Sequence, residues 1–275
     1  MANWPTLNIR RSGEQLLIAQ ITDTHLEAQS GGKLAGMDTD ASLELVLEML
    51  RHAERRPDVL LVTGDLASHG STAAYGRLRD RIDALELPWV WLPGNHDDPR
   101  LMSEVLAHGA PMYRCLRSSE WQILLLDSTE RNKVGGTLGH SELELLEHML
   151  SSAEGRHTVV CMHHQPVPVG CEWLDEQRVS DADKLFALLD QFSDVQALLW
   201  GHVHQDFYAE RNGVKLFATP STCIQFKPGT EDFALDDLAP GMRWMTLLPD
   251  GRIVTEVQRV ANFNLDYDRD SAGYM

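Results

Sequence analysis

Short apolar runs alternate with longer amphipathic stretches along most of the chain. Six runs stand out, at residues 16–21, 59–63, 89–92, 121–126, 158–162 and 197–200. Each is too short for a helix and predicts a buried strand. Between them lie helical patterns. In 41–55 the apolar residues Leu43, Val46, Leu47 and Leu50 fall on one stripe. In 141–150 the stripe is Leu143, Leu146 and Leu150, and Ser141 with Glu144 has capping-box spacing. A third helix is expected over 181–191. Strands alternating with helices predict an α/β layered fold.

After Gly201 the texture changes. Segments 207–211 and 214–218 flank Asn212-Gly213, a strong hairpin signal, and 243–248 and 253–257 flank a turn at Pro249-Asp250-Gly251. The C-terminal third is therefore expected to form a second sheet packed on the first. With 275 residues, 43% of them hydrophobic, one sizeable core is affordable. We read 1–260 as a single domain, with 166–180 and 220–240 on the substrate side, and 261–275 as a C-terminal tail.

Five of the six runs end directly in polar residues with metal-binding chemistry. The first leads into Asp23-Thr24-His25 and the second into Gly64-Asp65. The third leads into Gly94-Asn95-His96-Asp97, the fifth into His163-His164, and the sixth into Gly201-His202-Val203-His204. Ligands of α/β sheets bind beyond the carboxyl ends of the strands, so five strands would deliver these side chains to one edge. The glycines suit sharp turns or a close backbone approach. Imidazole, carboxylate and amide without thiolate suit iron, manganese, zinc or cobalt, whereas calcium prefers an all-oxygen site. The amide of Asn95 is a weak ligand, so one metal is expected to be held less tightly than the other.

Charge narrows the partners. Acids outnumber Lys and Arg by 41 to 24, a formal charge of −17. A nucleic-acid polymer would be repelled, because its binding relies on basic side chains. A small phosphorylated substrate is different, since bound metal ions attract it locally. Residues 1–12 show no signal-peptide pattern, and no apolar run approaches the roughly 18–20 residues of a membrane helix. Cys115, Cys161, Cys171 and Cys223 form no C-x-x-C pair, which fits neither a structural zinc nor a disulfide framework. A cytoplasmic protein without membrane or nucleic-acid partners is expected, as a monomer or homodimer.

The set D-x-H, G-D, G-N-H-D, H-H and G-H-x-H, in this order, resembles the calcineurin-like metallophosphoesterases. That resemblance implies an α/β/β/α sandwich with mixed sheets and a dinuclear site at the strand C-terminal ends. It implies two divalent or transition metal ions, with iron and manganese favoured. One would be held by Asp23, His25, Asp65 and His204, the other by Asp65, Asn95, His163 and His202, with Asp65 bridging. Of the His163–His164 pair the family pattern favours the first as ligand.

Residues 20–26, 91–97, 170–175, 218–223 and 225–228 further resemble the class III cyclic-nucleotide phosphodiesterases, in particular bacterial 3′,5′-cyclic-AMP phosphodiesterases. The implied reaction is attack by a metal-bridging hydroxide on the cyclic phosphodiester, giving 5′-AMP. His25, Asn95, His96 and His204 would face the substrate. His96 would stabilise a phosphoryl oxygen or protonate the leaving oxygen, and Asp97 would orient His96. Trp173 and Phe226 are candidates to stack on the base, or equally to pack in the core. Another diester or pyrophosphate hydrolase, such as a glycerophosphodiesterase, would use the same centre. A non-catalytic scaffold should have lost ligands or His96, and all are present. His52, His69, His108, His140, His148 and His157 lie outside the motifs and are expected at the surface or in caps. His164 is expected to be structural.

Overall fold

The predicted strands recur with small shifts in the computed structural model, which describes residues 4–106, 110–264, 266–269, 271 and 273. They run Leu16–Ile21, Val59–Thr63, Trp89–Leu92, Trp121–Leu125, His157–Cys161 and Val195–Trp200. Among the described residues they are divided between a five-stranded and a seven-stranded sheet. The first three are adjacent and parallel in the smaller sheet. The last three are adjacent and parallel in the larger one.

Period-two alternation along each strand explains the layering. Leu16 and Ile18 point into a core shared with Ile123, Val159 and Leu199 of the other sheet. Leu17, Ala19 and Ile21 point the opposite way, into a cluster with Leu43, Leu47 and Leu78 from helices Thr39–Arg51 and Thr72–Asp83. On the far side of the larger sheet, Val160 and Leu198 pack with Leu146 and Leu185 from helices Gly139–Ser151 and Ala182–Leu189. The order of layers is thus α/β/β/α.

Three expectations need correction. The helix placed at 141–150 begins at Gly139, so Ser141 lies within its first turn and cannot cap it. Asp181, distant in sequence, does that work: its carboxylate accepts from Leu138 N and Gly139 N, each at 2.9 Å. The helix Thr72–Asp83 carries so many charges that its stripe of Ala74, Tyr75, Leu78 and Ile82 escaped the pattern. Among the described residues the C-terminal third makes only the two-stranded pairing of Gln225–Phe226 with Leu235–Asp236 as a sheet of its own. Hairpin Phe207–Arg211/Val214–Ala218 extends the larger sheet, whereas Gly241–Leu247/Ile253–Arg259 extends the smaller one.

A buried polar seam locks the two sheets beneath their carboxyl ends. Gln20 Nε2 donates to Thr63 Oγ1 at 2.7 Å, and Thr219 Oγ1 donates to Gln20 Oε1. Arg243 Nε donates to Thr219 Oγ1 at 3.2 Å, and its Nη2 to Ala218 O at 2.7 Å and Asp206 Oδ1 at 2.5 Å. Such satisfied networks fix one arrangement, because any slip would leave buried polar groups unpaired.

Candidate metal centre

The edge that receives the motif residues is shared by the two sheets. Asp23, His25, Asp65 and Asn95 come from loops of the smaller sheet, and His163, His202 and His204 from loops of the larger. Backbone contacts hold the first two loops side by side: Asp23 N donates to Gly64 O at 3.0 Å and His25 N to Asp65 O at 2.9 Å. Asp23, His25, Asp65, His202 and His204 all have positive φ, between 44° and 62°. Non-glycine residues in this region cost of order 1–3 kcal/mol and cluster at functional sites. Two glycines make the crowding possible. A Cβ at Gly64 would run into the His163 ring, and one at Gly94 into the Asp65 carboxylate.

Two overlapping groups result. In one, His204 Nε2 stands 3.3 Å from Asp23 Oδ1 and 3.2 Å from His25 Nε2. In the other, His163 Nε2 stands 3.2 Å from Asp65 Oδ2 without hydrogen-bond alignment. Asp65 Oδ2 also lies 3.7 Å from His25 Nε2, which links the groups. Ligand atoms each about 2.1 Å from one ion stand roughly 3.0–3.5 Å apart, the spacing of these contacts. Two of the histidines, His163 and His204, are held with Nε2 towards the centre. His163 Nδ1–H donates to Thr63 O at 2.9 Å and His204 Nδ1–H to Ile224 O at 2.8 Å, so Nε2 is the nitrogen each ring offers to a cation once any proton on it has left.

Whether a cation fits is answered by atoms left over. Asn95 Oδ1, His163 Nε2 and His202 Nε2 are buried without a hydrogen-bond partner among the described residues. Leaving such atoms unsatisfied costs about 1–3 kcal/mol each. All three accept, none donates in its ligand form, and Asp65 adds negative charge beside them. The donor set suits a cation.

His164 is a different kind of histidine. Ser128 Oγ bonds its Nδ1 at 2.8 Å, and its Nε2–H donates to Val134 O at 2.9 Å. Both nitrogens are therefore spent on protein partners. Burial, reinforced by His163, pushes its pKa down to about 3.

His96 lies beside both groups. Its backbone N–H donates to Asp65 Oδ1 at 3.0 Å, its Nδ1–H to Ser68 O at 2.8 Å, and its ring stands edge-on to His25 at 5.0 Å. Ser68, not Asp97, thus orients the ring, which corrects the sequence expectation. The Asp97 carboxylate collects donors from Leu66 N, Ala67 N, Gly94 N and Tyr75 Oη. It staples the Asp65 loop to the Asn95 loop instead. Burial, with Asp65 close by, lifts the Asp97 pKa to about 6 against those donors.

The remaining charges follow from burial and proximity. Burial drives His25 and His202 well below the usual imidazole range, with the neighbouring rings adding to it. Burial alone would lift Asp65, but the rings of His163, His96 and His25 hold it well below the carboxylate range. Burial alone would lower His163, but Asp65 against its Nε2 raises it to about 9. At neutral pH the metal-free site therefore holds a proton at His163 that a cation must displace. Metal uptake is expected to release about one proton at pH 7, with affinity rising up to roughly tenfold per pH unit towards 9. Calorimetric titration in buffers of different ionisation enthalpy measures it. Uptake with no proton release would contradict the His163–Asp65 pairing.

A cavity of about 540 Å³ lies over the centre, lined by Asp65, Asn95, His96 and His202 together with Val134, Trp173, Gln177, Phe226 and Phe233. Trp173, Phe226 and Phe233 meet edge to face at 5.0–5.4 Å. Phe226, a candidate to stack on a base or equally to pack in the core, stacks on His204, with centroids 4.0 Å apart and planes 9° apart, and is only 2% exposed. Phe233, Gln177 and Ser68 were not anticipated; none belongs to a metal-type motif, and only the fold brings them here. Outside the site, His52, His69, His140 and His148 are exposed and His157 packs on Trp121. His108 lies outside the described residues.

Comparison with known proteins adds four findings. Residues 16–206 match the family model described as calcineurin-like phosphoesterase. The chain is 43% identical to the 3′,5′-cyclic adenosine monophosphate phosphodiesterase CpdA of Escherichia coli (strain K12), across 98% of each chain. It is 39% identical to the protein of the same name from Pseudomonas aeruginosa, across 97% of this chain and 98% of that one. Among solved structures, a dimetal phosphatase from Danio rerio superposes with a TM-score of 0.60 at 16% identity, covering 90% of this chain and 99% of that one. That likeness speaks for the fold alone.

Proposed function

We propose that this chain, which belongs to the calcineurin-like phosphoesterase family, hydrolyses 3′,5′-cyclic AMP to 5′-AMP at a centre of two metal ions. The observation that carries the reading is the pair of buried ligand groups sharing Asp65 beneath a cavity walled by aromatic rings. The near-full-length likeness to cyclic-AMP phosphodiesterases supports the substrate.

Asp23, His25, Asp65 and His204 would hold one ion, and Asp65, Asn95, His163 and His202 the other. The mixed nitrogen and oxygen donors suit iron, manganese, zinc or cobalt, and the family resemblance is what favours iron or manganese among them. When bound, two such ions supply positive charge at the phosphoryl oxygens and make water nucleophilic near neutral pH. The chain supplies the rest. Asp23 is fixed by His202 N at 3.1 Å and Asp65 by His96 N at 3.0 Å, so the carboxylates cannot turn away from the centre. His25, Asn95, His96 and His204 face the phosphate. Holding the reacting groups in place converts the reaction to an effectively unimolecular one. We assign His96 Nε2 the proton transferred to the leaving 3′ oxygen.

No helix among the described residues is long and apolar enough to cross a membrane. The four cysteines are buried free thiols, which suits a reducing cytoplasm. Incubating manganese- or iron-loaded protein with 3′,5′-cyclic AMP and resolving the products tests the reading. The expected product is 5′-AMP. Cleavage of bis-p-nitrophenyl phosphate in a parallel reaction, with cyclic AMP left intact, would keep the centre and discard the substrate.

A further inference from the structure

The metal groups explain how a phosphate is held but not how a base is read. Resting on the cyclic-AMP reading above, we propose that Gln177 is the base-reading residue. Its side-chain amide makes the bidentate contact to adenine N6 and N7 while the purine lies against Trp173 and Phe233.

Three observations lead there. First, the cavity has two side-chain amides in its lining, Asn95 and Gln177, and Asn95 belongs to the metal groups. The wall away from the metals is otherwise Val134, Trp173, Phe226, Phe233 and Gly273. Gln177 is thus the side chain there with both a donor and an acceptor, and among the described residues its amide makes no hydrogen bond. Ligand cavities characteristically set a few polar groups in such apolar walls, and those groups fix orientation.

Second, Gln177 is held still. Its backbone N–H donates to Leu174 O at 2.9 Å in the turn that follows the short helix Glu172–Asp175, and Trp173 of that helix lines the same cavity. Gly136 N donates to Gln177 O at 3.3 Å. That glycine lies so close to His164 that a Cβ would stand 2.7 Å from its ring, and His164 grips Val134 O of the same loop. The second histidine of the His163–His164 pair therefore anchors the wall that positions Gln177.

Third, Phe226 stacks on His204, and the half-buried Trp173 and Phe233 line the same cavity, where a purine would meet them. A base there brings its edge to the neighbouring amide. Adenine N6–H donates to Gln177 Oε1, and Gln177 Nε2–H donates to N7. Guanine offers two acceptors, O6 and N7, so Oε1 would face a lone pair and one half of the contact fails.

The test compares Gln177→Leu and Gln177→Glu with wild type on cyclic AMP, cyclic GMP and bis-p-nitrophenyl phosphate. The expected result is a fall in kcat/KM for cyclic AMP of roughly 10–100-fold, mostly through KM. This fall should exceed the losses on cyclic GMP and the chromogenic diester by about tenfold. Gln177→Glu keeps the acceptor but loses the donor to N7, and should fall between wild type and Gln177→Leu. Equal losses on all three substrates, or cyclic-AMP turnover that survives Gln177→Leu, overturn the assignment alone. Wild-type protein that cleaves the chromogenic diester but not cyclic AMP overturns the substrate reading and this inference with it.

Discussion

Replacing Asp65 by asparagine is expected to empty both ion positions together and to lower cyclic-AMP turnover by roughly 10³-fold or more. Asp65 is the carboxylate the two ligand groups share, with Oδ2 3.2 Å from His163 Nε2 and 3.7 Å from His25 Nε2. Asparagine keeps the size and one acceptor, so the hydrogen bond from His96 N survives. It lacks the negative charge, and its amide donors would point at ring nitrogens that need a cation. Elemental analysis reads the metal loss, and circular dichroism shows that the fold remains. A second readout is independent of turnover. Asp65 is what raises His163 to about 9, so without it burial takes that pKa down, and an NMR titration of His163 in the metal-free proteins reads the fall. Two retained metal equivalents with turnover within tenfold of wild type would refute the shared-carboxylate arrangement.

How far the sequence reaches depends on where the determining contact lies. Strands of the α/β core announce themselves because burial on both faces demands unbroken apolar runs, and each run is followed within a few residues by its polar load. The seven ligand-type residues were legible for that reason: six of them recur in four overlapping His/Asp groups among the described residues, and Asn95 lines the cavity with Asp65. What escaped depends on contacts far apart in the chain. Asp181 caps a helix 42 residues earlier, which no local capping motif encodes. The role given to Asp97 failed because adjacency in sequence suggested a partner. In the fold its carboxylate turns to Leu66, Ala67 and Gly94, and Ser68 takes the His96 ring.

The division of the motif strands between two sheets has a mechanical consequence. One proposed ligand set takes three residues from the smaller sheet and one from the larger, and the other takes two from each, so the site is only as rigid as the seam between them. Gln20, Thr63, Thr219 and Arg243 form that seam directly beneath the ligand loops. The strained, positive-φ backbone of Asp23, His25, Asp65, His202 and His204 is tolerated because the surrounding network over-determines it. Stability spent on the seam and the loops thus appears as pre-organisation of the centre.

His96→Ala is expected to lower cyclic-AMP turnover by roughly 10²–10⁴-fold while metal content stays near wild type. The ring touches the groups without completing either: Nδ1–H is committed to Ser68 O, and the backbone N–H, which the substitution keeps, is what holds Asp65. A proton delivered to the leaving 3′ oxygen matters in proportion to how poor that leaving group is. The sugar alkoxide needs the proton, whereas p-nitrophenolate leaves readily without it. The loss on cyclic AMP should therefore exceed the loss on bis-p-nitrophenyl phosphate by about tenfold or more. It should fall on cyclic AMP and cyclic GMP alike, which separates it from an effect on base reading. Equal losses on both leaving groups would move His96 from acid to stabiliser of a phosphoryl oxygen. Loss of metal would place it in the coordination sphere, contrary to the assignment.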